Sequence, residues 1–104
     1  MGYRSTIFIK VTKAEQQEFE QVLKDANLFE YFTLQNKDSI YTAKYIGDDL
    51  KWYDTYSDVK KVNDWVAGGD AYPRGLISIG EDDAVIYLGD TEELDMVTNV
   101  SIDW

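Results

Sequence analysis

Two hydrophobic periods follow one another in residues 3–26, YRSTIFIKVTKAEQQEFEQVLKDA. Up to Val11, successive side chains alternate between two faces, which is the period of a β-strand. In residues 19–26, apolar side chains recur three and four positions apart, which places them on one face of a helix. This segment therefore predicts a strand followed by a helix near residues 13–26, whose apolar stripe packs on a sheet.

Both predicted helices have boundary signals. Thr12 and Glu15 match a capping box, in which each side chain accepts a hydrogen bond from a free backbone N–H of the first turn. A second helix is predicted near residues 58–67, where three valines share one face. Ser57 would cap its start, and Gly68-Gly69 would end it. The two helices are thus separated by a segment long enough to hold strands.

The other strands are predicted from alternating side chains and from turn residues between them. We expect them at residues 28–34, 39–46, 50–53, 75–79, 84–88 and 96–102. The strands at 39–46 and 50–53 would form a hairpin, and those at 75–79 and 84–88 would both be well buried. The order predicts one α+β domain over residues 1–104, with two helices on one face of a mainly antiparallel sheet. A ferredoxin-like βαββαβ core with extra C-terminal strands fits this order.

Composition limits the chemistry available to the chain. It has 104 residues, of which 44% are hydrophobic, and it contains neither cysteine nor histidine. Disulfides, thiolate metal sites and the usual catalytic triads are therefore excluded, and we predict no enzymatic activity. A carboxylate pair could still act as acid and base, but no motif selects two of the acids. No signal-peptide or membrane-spanning pattern is found, so a cytoplasmic protein is expected.

Neither a metal nor a cofactor is predicted. The acidic segments at 48–49 and 81–83 lack the ligand spacing of an EF-hand loop, and solvated turn charge is the simpler interpretation. The chain also lacks a P-loop and a dinucleotide-binding glycine motif. A small-molecule or nucleotide-metabolising domain remains an alternative, which a deep pocket with two or more carboxylates would favour.

Charge is distributed unevenly along the chain. The net charge is −10, and residues 1–74 hold twelve acids against ten bases. Residues 75–104 hold eight acids and no base: Glu81, Asp82, Asp83, Asp90, Glu92, Glu93, Asp95 and Asp103. Such a surface repels nucleic acid and anionic membranes, and it attracts a partner with a basic surface. Acidity that only keeps the protein soluble explains the charge equally well.

Aromatic residues are the other feature that suggests a binding surface, since they are enriched at protein interfaces. Trp52 and Trp65 are expected to belong to the core. Tyr53, Tyr56 and Trp104 are expected to be partly exposed and could anchor a partner.

Three blocks of sequence resemble a family of small uncharacterised phage and prophage proteins. They are Met1-Gly2-Tyr3-Arg4-Ser5, Lys51-Trp52-Tyr53-Asp54-Thr55-Tyr56-Ser57-Asp58-Val59 and Ile79-Gly80-Glu81-Asp82. Ser57 stands where the family pattern has a proline, which leaves only the start of the second helix open. The resemblance implies a phage protein that acts inside a bacterial host cell, and it implies no catalytic residue.

Together these observations favour a phage protein that binds and inhibits a nucleic-acid-binding protein of the host, such as a nuclease or CRISPR effector. It would act by occlusion or by nucleic-acid mimicry. The alternative is a self-assembling structural or accessory phage domain, for instance a homodimer joined at a sheet edge. The predicted contact residues are Glu81, Asp82, Asp83, Asp90, Glu92, Glu93, Asp95, Tyr53, Tyr56 and Trp104.

Overall fold

The computed structural model describes residues 4–35, 41–53, 55–69, 71–82 and 84–94. They form five strands: β1 (Ser5–Thr12), β2 (Phe32–Leu34), β3 (Thr42–Leu50), β4 (Arg74–Gly80) and β5 (Val85–Gly89). The two α-helices are α1 (Gln16–Asp25) and α2 (Ser57–Ala67), and short 3-10 turns lie at Lys13–Glu15 and Phe29–Tyr31. The strand predicted at residues 96–102 lies outside the described residues.

The strands form one antiparallel sheet in the order β2-β3-β1-β4-β5. β1 lies at the centre, where it pairs with β3 on one side and with β4 on the other. Each helix joins two strands that flank a third, because α1 leads from β1 to β2 across β3 and α2 leads from β3 to β4 across β1. The predicted α+β fold class is confirmed, while the ferredoxin-like assignment stays a prediction.

The main core lies between the sheet and the two helices. Alternate residues of β1 point to this side, and they pack against the apolar stripes of α1 and α2 in one cluster. Its fully buried members include Ile7, Ile9, Val11, Phe19, Leu23, Val62, Val66 and Leu76. Each side chain of this size contributes about 1.5–3 kcal/mol when it is removed from water. The strand and helix within residues 3–26 supply six of the thirteen buried members of this cluster.

A smaller apolar cluster covers part of the opposite face of the sheet. Phe8 and Ile77 are neighbours on β1 and β4, and Leu94 packs against both. The chain reaches this face after β5, and the ammonium group of Lys10 donates a hydrogen bond to the Leu94 carbonyl at 2.5 Å. Both faces of the central strands are consequently buried.

The predicted hairpin between residues 39–46 and 50–53 is wrong. β3 runs unbroken from Thr42 to Leu50, and the ladder between β1 and β3 shifts register opposite residues 48 and 49. Asp49 has a φ of 56° there, a left-handed conformation that aspartate tolerates better than most residues. The Gly-Asp-Asp segment is therefore a β-bulge in one strand, since a bulge and a turn use the same residue types.

The predicted helix caps are also wrong. The Thr12 side chain makes no capping hydrogen bond, and its hydroxyl oxygen is buried without a partner among the described residues. Glu15 instead binds the guanidinium group of Arg74. Tyr56, rather than Ser57, occupies the cap position of α2 and provides no side-chain bond. Gly68 ends α2 as predicted.

Candidate functional site

The two acidic segments of the last third of the chain lie at opposite ends of β5. We call residues 81–84, which join β4 to β5, the first acidic turn, and residues 90–93 the second acidic turn. The β4–β5 ladder pairs Ile79 with Val85 at one end and Gly75 with Gly89 at the other. Because a strand rises about 3.4 Å per residue and residues 84 and 90 are six positions apart, the turns are roughly 20 Å apart. They flank one strand instead of forming one cluster.

The first acidic turn is tied to the start of β1. The backbone N–H of Glu81 donates to the Arg4 carbonyl at 2.9 Å, and the Glu81 carboxylate accepts from the Arg4 N–H at 2.8 Å. Asp82 accepts a hydrogen bond from the backbone N–H of Ala84 at 3.2 Å. Both acidic side chains remain exposed. These bonds fix the turn while both carboxylates stay in contact with solvent.

The bulge in β3 brings two more acids to the same end of the sheet. Asp48 accepts a hydrogen bond from the Thr6 hydroxyl at 2.8 Å, and the Arg4 guanidinium donates to the Asp49 carbonyl at 3.1 Å. These residues and Glu81 line a cleft of about 270 Å³. Arg4 is the only base among its lining residues, so this end of the sheet carries net negative charge.

The second acidic turn is anchored to the start of β4. The Asp90 N–H donates to the Arg74 carbonyl at 2.7 Å, and the Asp90 carboxylate accepts from the Arg74 N–H at 3.3 Å. Thr91 is buried, whereas Glu92 and Glu93 are exposed. Asp90 thus holds the turn in place while the two glutamates point their charge toward solvent.

β5 is an exposed edge strand, contrary to the prediction that both late strands are well buried. Val85 is 43% exposed, Ile86 64% and Tyr87 51%, whereas β4 beside it is largely buried. Among the described strands, β5 has β4 as its single neighbour. A run of apolar residues indicates a strand but does not reveal whether that strand is central or at an edge. The acidic turns on both sides are the only sequence signal that marks this strand.

A groove of about 420 Å³ lies beside β5 on the helix side of the sheet, and we call it the β5 groove. Ile86 and Leu88 form one wall, and Trp52 and Asn63 contribute to the other. The indole N–H of Trp52 and the side-chain oxygen of Asn63 are buried without a hydrogen-bond partner among the described residues. Such groups ordinarily find a partner, so a bound group or a water molecule that reaches them would satisfy them.

Tyr53 and Tyr56, two of the predicted aromatic contact residues, lie at or beside this groove. Tyr53 is half-buried in the groove lining, and its ring meets that of Tyr56 edge to face with the centroids 5.1 Å apart. Tyr56 is 43% exposed. Trp52 and Trp65 are half-buried and pack against the main core, in line with their predicted role. Asp83, Asp95 and Trp104 lie outside the described residues.

The strongest ion pair of the described residues was missed by sequence reasoning. Two nitrogens of the Arg74 guanidinium donate to the two Glu15 oxygens at 3.0 and 2.7 Å, with side-chain exposures of 11% and 12%. The nitrogen at 2.7 Å, Nη2, also lies 3.4 Å from a carboxylate oxygen of Glu18, and the guanidinium stacks 3.6 Å above the Trp65 ring. This cluster joins β4 to both helices. It also draws the Arg74 charge away from the second acidic turn.

Among the described residues, Tyr45 has a clearly shifted acid–base equilibrium. Burial raises its pKa well above the usual value, and so does the hydrogen bond that its hydroxyl donates to Glu20. Gln16 donates to the same hydroxyl at 3.1 Å. The group lies between the sheet and α1, away from both acidic turns, and stays neutral at physiological pH. We assign it a structural role.

No family model, curated protein or solved structure matches the chain. In the part of the chain that the structure describes, no three acidic side chains are grouped closely enough to hold a metal ion. Neither described helix is long and apolar enough to cross a membrane. The acidic turns, the β5 edge and the groove beside it are the features of the described residues that bear on function.

Proposed function

We propose that the protein is a phage-encoded acidic inhibitor that covers the basic surface of a nucleic-acid-binding protein in the cytoplasm of the bacterial host, such as a nuclease or CRISPR effector. The placement of carboxylates at both ends of the exposed strand β5 carries this proposal. Residues 75–104 contain no base that could neutralise them. A surface of this kind steers a basic partner toward the β5 edge and repels nucleic acid.

The electrostatics around the turns support the proposal. Two described bases lie close to the second acidic turn: the Arg74 guanidinium is engaged by Glu15 and Glu18, and the Lys10 ammonium donates to the Leu94 carbonyl at 2.5 Å. Arg4 at the first acidic turn shares its cleft with three acidic residues, Asp48, Asp49 and Glu81. The field at both ends of β5 is therefore negative, and it is strong only within a Debye length of about 8 Å at physiological salt.

The spacing of the charges favours occlusion over close mimicry of a nucleic-acid backbone. Phosphates along one DNA strand follow each other every 3.4 Å or so of helix axis. The two acidic turns are instead about 20 Å apart, with apolar side chains between them. Such a surface can cover a basic groove by contacting its two sides, with β5 as the apolar centre of the interface.

One observation favours the alternative of self-assembly. An uncharged edge strand with exposed apolar side chains is a ready template for pairing with a second copy. Light scattering distinguishes the two functions, because the alternative requires a stable dimer or larger assembly without any partner, at physiological salt.

The direct test of the proposed function removes charge and keeps hydrogen bonds. The test variant is E81Q/D82N/E92Q/E93Q, in which the amide oxygens at 81 and 82 can still accept from the backbone N–H groups of Arg4 and Ala84. The control variant is D25N/E30Q/D58N/D64N, which removes the same charge from the helical side of the molecule.

Each protein is used to capture partners from host lysate, and the captured protein is then purified for binding measurements. We expect the wild type and the control to bind alike and the test variant to bind about ten-fold more weakly or worse. High salt should weaken binding, and DNA or RNA should compete. Equal binding by all three proteins, without competition by nucleic acid, would contradict the proposed function.

A further inference from the structure

We propose that β5 accepts an extended segment of the partner as an added strand, with apolar side chains in the middle of the segment and Lys or Arg at both ends. The inference rests on the proposed function, since it specifies how the same acidic surface holds its partner. Strand addition at an exposed edge uses backbone hydrogen bonds for affinity and side-chain pockets for specificity.

The backbone of β5 is positioned for such an addition. In an antiparallel pair, residues alternate between positions that bond the neighbouring strand and positions that do not. Ala84 accepts a ladder bond at 2.9 Å, and Asp90 donates one at 2.7 Å, so the even positions bond β4. The N–H and C=O groups of Val85 and Tyr87 therefore point to the open edge. β5 contains none of the prolines or lysines that commonly block an edge.

Both faces of β5 offer apolar contacts to an added strand. Ile86 lies on the helix side at the rim of the β5 groove, and an added side chain on that side would enter the groove. Val85 and Tyr87 lie on the opposite side, beside Ile79 and Ile77 of β4. An alternating apolar segment would bury all three exposed side chains at once.

The negative charge of the two acidic turns determines which kind of strand can pair with the β5 edge. Antiparallel pairing of two β5 strands would place the first acidic turn of one copy beside the second acidic turn of the other, and parallel pairing would bring identical turns together. Carboxylates would meet carboxylates in both arrangements, which disfavours a second copy. A foreign strand with a base at each end, about five to seven residues apart, instead complements both turns.

The test uses the full chain and a synthetic peptide of alternating valine and threonine with two lysines at each end. Its controls are the same peptide with glutamate in place of lysine, and the lysine peptide N-methylated at alternate backbone positions. We expect the lysine peptide to bind with strong salt dependence and to slow the hydrogen exchange of the Val85 and Tyr87 amides at least ten-fold. Both control peptides should bind at least ten-fold more weakly. Equal binding of the N-methylated peptide overturns the inference.

Two protein variants separate the backbone from the side chain. Y87P removes an outward N–H that makes no bond to β4, and Y87A removes the same side chain while the N–H remains. The inference requires Y87P to bind the peptide about ten-fold more weakly than Y87A. I86K, at an exposed position, should weaken binding without affecting the fold. Equal binding of Y87P and Y87A overturns the inference.

Hydrogen exchange of the free protein tests the other occupants. Protection of the Val85 and Tyr87 amides that grows with protein concentration identifies a second copy as the occupant. Protection in dilute protein identifies another segment of the same chain, and either result overturns the inference.

Binding of the host protein by the variants distinguishes failure of this inference from failure of the proposed function. If E81Q/D82N/E92Q/E93Q loses the host protein and Y87P retains it, the docking mode fails alone. If Y87P loses the host protein and the charge variant retains it, β5 is the docking edge, but the basic-surface function fails and so does the requirement for Lys or Arg at the ends of the added segment.

Discussion

Replacing Arg74 by methionine should lower the free energy of unfolding by about 3 kcal/mol. The arginine side chain lies between three elements: it binds both oxygens of Glu15, donates to the Trp65 carbonyl at 2.5 Å and stacks on the Trp65 ring. Methionine keeps much of the apolar packing. It leaves the Glu15 carboxylate and the Trp65 carbonyl without these partners.

The magnitude follows from the burial of the pair. Breaking a buried ion pair by removing one partner typically costs 3–5 kcal/mol, because the remaining charge is left unpaired. About one tenth of each side chain is exposed, at 11% for Arg74 and 12% for Glu15, so water can partly solvate the orphaned carboxylate. We therefore expect the lower end of that range. This is a large share of the roughly 5–15 kcal/mol that stabilises a domain.

Urea unfolding followed by tryptophan fluorescence and circular dichroism measures the effect. Removing the orphaned charge in R74M/E15Q should recover about half of the loss, and R74K should lie between the wild type and R74M because lysine lacks the planar fork. A loss below about 1 kcal/mol for R74M, or strictly additive effects of R74M and E15Q, would refute the view that these residues act as one buried unit.

Three further predictions concern the core and the turns. Burial and the bond to Glu20 raise the pKa of Tyr45 above the ordinary 10.0, so its contribution to stability is complete below pH 10 and is lost at higher pH. The free energy of unfolding of Y45F, measured with urea, should therefore fall less steeply above pH 10 than that of the wild type. An equal slope for the two proteins would contradict this cause. G89A should lower the free energy of unfolding by about 1–3 kcal/mol, because Gly89 has a φ of 78° and its added Cβ would meet the Arg74 carbonyl. An unchanged midpoint of thermal unfolding would contradict this prediction. F19A should cost about 3–5 kcal/mol, since Phe19 is fully buried against the Tyr45 and Trp65 rings; a loss under 1 kcal/mol by urea unfolding would show that the site collapses.

The elements that sequence predicted correctly are those whose signals are local. The alternation in β1 and the apolar stripes of α1 and α2 lie within single elements, and each stripe can be buried in only one direction. Two helices and several alternating strands then leave few ways to form a common core, which is why the fold class was accessible from residue order alone.

The errors arose where one residue type serves two purposes. Gly47-Asp48-Asp49 can form a turn or a bulge, and pairing of β3 with β1 along its whole length selected the bulge. Glu15 can cap a helix or pair with a base, and in the structure it binds the guanidinium of Arg74, 59 positions away. A short sequence pattern does not show which distant residue will contact a side chain in the folded protein.

Some features of the candidate site were evident from the sequence, and others depend on the tertiary structure. The uneven charge of residues 75–104 was evident from sequence, because net charge needs no coordinates, whereas the predicted contact residues stay a prediction. The position of the two acidic turns at opposite ends of β5, and the exposure of Ile86 and Tyr87 between them, depend on strand order. Five successive apolar residues form the same sequence pattern whether the strand lies in the centre of a sheet or at its edge. Only the assembled sheet, with β4 inside and β5 outside, leaves those side chains and backbone groups open to a partner.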